Sequence, residues 1–158
     1  MSVDAGRIAE MLMSEHAGGA IFQPFAASSG IVTADDAYAV QREYVRLLLQ
    51  SRGTRAAGYK IGLTTPRMQA MCGIDSPVAG VVLRDRVHAS GARIKTSDYG
   101  RTGLEFEIAV RLGKDLVPAG HAPSLADVAA AVDGVCPAIE IIDDRHADYR
   151  KIDALSLI

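Results

Sequence analysis

Tryptophan is absent from the 158 residues, and three phenylalanines and five tyrosines are the whole aromatic complement. A protein that holds single-stranded nucleic acid by stacking bases needs a platform of such rings, so that class is set aside. An excess of one charge is lacking too: 17 basic and 19 acidic residues leave a formal net charge of −2 and a pI near 6.1. That balance offers no electrostatic footprint for nucleic acid or for an anionic membrane surface. No apolar run approaches the roughly 20 residues that span a bilayer. The opening MSVDAGRIAEMLMSEH mixes acidic residues into its apolar positions and lacks the basic start and apolar core of a signal peptide. These absences read as a cytoplasmic protein with neither a nucleic-acid nor a membrane partner. Cysteine is scarce: Cys72 and Cys136 match no metal or redox spacing and read as small hydrophobes in a reducing compartment. The signatures GxSxG, HExxH, GxGxxG and the P-loop are all missing, which argues against the usual serine hydrolase, zinc protease and nucleotide-binding domain.

The residues that are present change character along the chain. Val3, Ile8, Met11 and Leu12 recur at helical spacing before Gly18-Gly19, and Thr33 with Asp36 resembles a capping box ahead of an amphipathic run from Tyr38 to Leu48 that Gly53 closes. Residues 55–63 then predict a short strand, and Thr65-Pro66 a short helix that ends at Gly73. Three β-like runs follow, VAGVVL, RVHASGARIKT and LEFEIAVRL, separated by Gly-, Ser- and Asp-rich loops. Ser124 with Asp127 opens a helix over LADVAAAVDG, and VCPAIEII reads as a last strand in which Pro137 argues against a central place. The predicted class is therefore α+β: a helical region over residues 1–54 and a strand-rich region over 55–158. The final apolar run Ala154-Leu155-Ser156-Leu157-Ile158 predicts a fragment, or an end that a partner covers.

Chemistry concentrates in two strands. In LEFEIAVRL, period-two alternation sends Glu105, Glu107, Ala109 and Arg111 to one face, with the two carboxylates roughly 7 Å apart. That pattern fits a solvated polar edge as readily as a ligand pair. Glu140 stands in Ala138-Ile139-Glu140-Ile141-Ile142, which reads as a strand buried on both faces. A carboxylate there requires a partner, either a cation such as Arg111 or a metal ion. Three carboxylates facing one pocket would suit a hard dication, Mg²⁺, Mn²⁺ or Ca²⁺ rather than Zn²⁺. Lys60, in the Gly-flanked segment Gly58-Tyr59-Lys60-Ile61-Gly62-Leu63, reads either as a surface lysine or as an anchor for a substrate carboxylate that the glycines let approach. Asp143 and Arg145 follow the Glu140 strand and could orient Glu140, bind substrate or form an ordinary ion pair. His16, His88 and His121 lie at no ligand spacing and read as surface or loop residues.

Four segments, GYKIGLTTPRMQ, GIDSPVAG, LEFEIAVRLGKDL and PAIEIIDDRHADYR, occur in that order. Together they resemble the hydratase and decarboxylase branch of the fumarylacetoacetate hydrolase superfamily, over essentially the whole chain. The resemblance implies a mixed, rolled β-sheet around a metal site, of which this chain would hold only the N-terminal portion. It implies Glu105, Glu107 and Glu140 as ligands of Mg²⁺ or Mn²⁺, Lys60 as the catalytic and substrate-facing cation, and Gly62, Leu63, Asp143 and Arg145 about the substrate. It further implies a small 2-keto acid substrate, a lyase that hydrates a 2-hydroxydienoate in aromatic-compound breakdown, and a homo-oligomer or a complex with a sister hydratase or decarboxylase. A 4-oxalocrotonate-type decarboxylase, a C–C hydrolase of acylpyruvates, and a catalytically silent assembly subunit are the alternatives. Val78 departs from the pattern, since many hydratases of this type carry an acidic residue there.

Overall fold

The computed structural model of the chain describes residues 3–117 and 120–158. They form five α-helices and four strands: α1 Ala5–Ala17, α2 Ala34–Arg52, β1 Ala56–Gly62, α3 Pro66–Cys72, β2 Val78–Leu83, β3 Thr102–Leu112, α4 Leu125–Ala131, β4 Val132–Asp143 and α5 Ala154–Leu157. The α+β class is as expected. What is present of the sheet is two antiparallel hairpins, β1–β2 and β3–β4, each its own two-stranded sheet. No helix among the described residues is long and apolar enough to cross a membrane.

The helices begin and end where their caps dictate. The Thr33 side chain accepts from the Asp36 amide while Asp36 accepts from the Thr33 amide, and Gly53, at φ 59°, closes α2 in the left-handed conformation that glycine adopts without cost. Thr65 and Pro66 start α3, and Ser124 with Asp127 starts α4 through a second capping box. One expected strand is missing. The RVHASGARIKT run holds a turn closed by the Ala92 amide on the Ala89 carbonyl, with Gly91 at φ 85°, and lies between two 3₁₀ turns. A strand needs a neighbouring edge to bond to, and this segment has turned before it meets one. The last strand, conversely, is longer than expected. α4 stops at Ala131 because Val132 turns extended (φ −71°, ψ 122°) to pair with Leu112. Pro137 sits mid-strand opposite Ile108, tolerated because β4 pairs with β3 alone among the described residues.

The chain separates into two compact units, residues 1–100 with 145–158, and residues 101–144. This cut differs from the division at residue 54, and the reason is the bonding of the first hairpin. The Ala79 amide donates to the Tyr38 hydroxyl, Gln41 donates to the Ala79 carbonyl, and Arg52 pairs with Asp85, so β1–β2 belongs with α2. The core of this first unit is Ile8, Ala26, Ile31, Ala37 and Val40, with Leu155 and Ile158 packed on it. The terminal apolar run thus packs Leu155 and Ile158 on the chain's own core, while Leu157 stays 40% exposed. Ser156 fastens it: its hydroxyl accepts from the Phe25 and Ala26 amides at 3.0 Å each and donates to Asp153 at 2.8 Å. His16, read as a surface residue, bonds the Tyr44 hydroxyl through Nδ1 at 2.5 Å and ties the end of α1 to α2.

The second unit is the β3–β4 hairpin with α4. One face of the hairpin carries Leu104, Phe106, Ile108, Val110 and Leu112 opposite Ile141, Ile139, Pro137, Val135 and Val132. This face is open within the chain: Phe106 is 86% and Ile108 76% exposed. The expectation that the Glu140 strand is buried on both faces is corrected accordingly. In the run Ala138–Ile142, Ala138, Glu140 and Ile142 face one side of the hairpin and Ile139 and Ile141 the other, and Ile139 remains 60% exposed.

Two predictions follow from these contacts. Ser156→Ala leaves two amides without an acceptor and should lower unfolding stability by about 2 kcal/mol, read by chemical denaturation; a change within error would show that the terminal helix does not hold the unit together. Hydrogen bonds from Thr33, Arg52 and Ser124 hold the carboxyls of Asp36, Asp85 and Asp127 below their ordinary value, and Asp148 beside Arg150 falls to about 2. Folding therefore favours the ionised forms, so their contribution is complete above the usual carboxylate range and is lost as pH falls through the lowered values. Acid titration followed by circular dichroism should show this loss, and Asp36→Asn should reduce it.

Candidate metal centre

The register of β3 with β4 builds the site. Glu105 stands directly opposite Glu140, and Glu107, two residues along, lies on the same face opposite Ala138. One carboxylate oxygen from each of Glu105, Glu107 and Glu140 lies within 4.8 Å of the other two. Like charges directly opposed across an antiparallel pair are destabilising. At this separation each pair repels by about 1 kcal/mol in water and by roughly 3–4 kcal/mol at the effective dielectric near a protein surface. The sequence offered Arg111 as a local cation to relieve Glu140. The structure instead pairs Arg111 with Asp133, the bulged residue of β4, at 2.8 Å. A cation placed among three such oxygens meets hard, anionic ligands alone, the donor set for Mg²⁺ or Ca²⁺ rather than for a thiophilic metal. The residues present therefore fit a dication.

The remaining expected site residues stand on other segments of the chain. Lys60 is on β1, opposite Gly80, and its aliphatic stem crosses that glycine: a Cβ at residue 80 would sit 3.2 Å from the Lys60 Cγ. Gly62 ends β1 opposite Val78. Leu63 follows at φ 54°, a left-handed conformation uncommon for a residue with a branched side chain, and Gln69 donates to its carbonyl at 2.8 Å. These three belong to the first unit and the carboxylates to the second. Asp143 closes β4 opposite Thr102 and accepts from the Arg101 amide at 3.0 Å, while the ion pair at this point is made by Asp144 with Arg101 at 2.6 Å. Arg145 is 7% exposed; its guanidinium lies over the Phe22 ring and donates to the Ala20 carbonyl, and its own carbonyl accepts from the Phe22 amide. Arg145 and His146 both have positive φ, and this is where the chain leaves the second unit for the first. Gln69 escaped the sequence reading because its partner lies six residues back across a helix start, a distance that no helical or strand periodicity flags.

No protein-family model matches the chain. It is 43% identical over 114 residues to the 2-oxo-hept-4-ene-1,7-dioate hydratase of Escherichia coli, covering 72% of this chain and 42% of that protein. It is 34% identical over 141 residues to 2-keto-4-pentenoate hydratase 1 of Dechloromonas aromatica strain RCB, covering 89% and 52%. Among solved structures it superimposes on 4-oxalocrotonate decarboxylase from Pseudomonas putida G7, complexed with magnesium and adipate, with a TM-score of 0.83 and 29% identity over 97% of this chain and 57% of that one. A second structure of the same decarboxylase is complexed with calcium and acetate. The chain spans about half the length of the relatives it matches.

A direct consequence concerns stability. With Mg²⁺ at about a hundred times its dissociation constant, binding would add roughly 2.7 kcal/mol to the folded state and raise the melting temperature by about 5 °C or more. Glu105→Gln should abolish that shift, while in chelator the variant should melt no lower than the wild type because a repulsion has been removed. A wild-type melt indifferent to Mg²⁺ would count decisively against a metal centre.

Proposed function

The chain belongs to the hydratase and decarboxylase branch of the fumarylacetoacetate hydrolase superfamily, and from that premise we propose that it is part of a metal-dependent lyase that adds water to a 2-hydroxydienoate or its 2-keto-4-enoate tautomer. The observation that carries the proposal is the meeting of Glu105, Glu107 and Glu140 on one face of a hairpin. The three would hold Mg²⁺ or Mn²⁺ through their carboxylate oxygens. When bound, such a dication supplies Lewis-acid stabilisation of negative charge developing on the substrate C2 oxygen.

The chain's own groups would do the rest. Lys60, its stem laid along Gly80, brings an ammonium to the substrate carboxylate or to the C2 oxygen and favours charge there. Gly62 and the left-handed Leu63 offer backbone that a small acid can approach closely, and Gln69 holds that backbone in place. Asp143 and Arg145 complete the proposed substrate surroundings; Asp143 accepts from the Arg101 amide at the end of β4, and the Arg145 guanidinium lies over the Phe22 ring. A homo-oligomer, or a complex with a sister hydratase or decarboxylase, belongs to the same proposal.

Decarboxylation of a 4-oxalocrotonate-type acid is the second reading, and Val78 favours it. Val78 packs beside Gly62, its Cγ2 3.5 Å from where a Cβ of that glycine would lie, so an apolar group stands where a proton-carrying acid would help to handle water. Both reactions need charge on the same oxygen and differ in what the substrate then gains or loses. Ultraviolet assays of the chain with Mg²⁺ and either 2-hydroxypenta-2,4-dienoate or 4-oxalocrotonate divide them. Consumption of the dienoate is expected, slowed about a hundredfold or more by Lys60→Met and by Glu107→Gln. Release of CO₂ from 4-oxalocrotonate with no turnover of the dienoate would replace the first reading by the second.

A further inference from the structure

On the carboxylate face of the β3–β4 hairpin, the paired residues run Gly103 with Ile142, Glu105 with Glu140, and Glu107 with Ala138. Ile142 is the one large apolar side chain beside the opposed glutamates, and it leans across onto β3. Its Cγ1 and Cδ1 lie 2.7 and 2.9 Å from the point where a Cβ of residue 103 would begin. A Cβ at residue 103 would force the Ile142 side chain to shift, so Ile142 keeps this place because residue 103 is glycine. The space beside Glu105 and Glu140, on the side away from Glu107, is thereby filled.

This matters because of what three carboxylates would do without it. Each side chain chooses among staggered χ1 positions, and mutual repulsion favours those that carry the charges apart. With Ile142 on the Gly103 side, a carboxylate swinging that way from Glu105 or Glu140 would meet its side chain. An apolar neighbour at that edge also limits how fully water solvates the oxygens, which strengthens their hold on a cation. We infer that Ile142, seated on Gly103, is a positioning residue that turns Glu105 and Glu140 toward Glu107 and so preforms the dication site. The inference rests on the metal-binding reading above.

Calorimetric titration of the full chain with Mn²⁺ tests it, in the wild type, Ile142→Ala, Ile142→Val and Gly103→Ala. Ile142→Ala and Gly103→Ala should each weaken Mn²⁺ binding about tenfold or more, the size of effect that groups supporting metal ligands produce. Ile142→Val keeps a Cγ atom beside Gly103 and should remain within about threefold of the wild type. Metal-free melting curves and far-ultraviolet circular dichroism accompany each variant. If Gly103→Ala fails to fold, Ile142→Ala, which only removes atoms, decides. A merely structural role would lower the metal-free melting temperature and leave Mn²⁺ affinity unchanged, and that result overturns the inference. If the wild type binds Mn²⁺ and Ile142→Ala binds it equally well, this inference alone falls; if the wild type binds none, the metal centre falls and takes the inference with it.

Discussion

The antiparallel register that sets Glu105 against Glu140 is the constraint on which the site depends. Slipping β3 against β4 by one residue would exchange the faces of the glutamates and the Leu104–Leu112 apolar series and take Glu105 away from Glu140. Ion pairs and hydrogen bonds brace the hairpin at both ends. Arg111 bonds the bulged Asp133 at one end of the hairpin, and at the other Arg101 bonds Asp144 and the Asp143 carboxylate. Against that frame the repulsion of three carboxylates is a local cost that a bound cation would offset. The hairpin holds the charges together and the metal would make that arrangement favourable.

The first unit answers a different demand. Its core is small, and its helices carry caps at almost every end. Much of its cohesion comes from bonds between distant parts of the chain. Ser156 reaches the Phe25 and Ala26 amides, Gln41 joins the Ala79 and Ile158 carbonyls, and buried Arg145 ties the segment after β4 to Ala20 and Phe22. These polar contacts bring the β1–β2 hairpin, with Lys60 on it, into one unit with the helices.

Periodicity carried most of the fold at the level of single elements. The capping pairs Thr33–Asp36 and Ser124–Asp127, the Thr65-Pro66 start and the stops at Gly53 and Gly73 are local signals, and each appears where it was read. The failures share one cause. The run around Ser90-Gly91 has strand-like composition but finds no edge, and Val132 leaves its helical pattern because Leu112 offers one. Pairing between segments decides such positions, and no window of neighbouring residues contains that information. The burial of Arg145 was illegible for a related reason: its charge suggested an exposed side chain, whereas its surroundings lay it against the Phe22 ring.

By itself the sequence determined the alternation that places Glu105 and Glu107 on one face, the apolar setting of Glu140, the caps that bound the helices and the resemblance that joined these motifs to a chemistry. Strand period and capping are short-range physics, complete within a few residues. Only the tertiary structure decided that Glu140 meets Glu105, that Arg111 turns to Asp133 instead, and that Ile142 lies where Gly103 has no side chain. Each of these is a meeting of residues about 20 to 40 positions apart, and it is the hydrogen-bond ladder between two strands that brings them together.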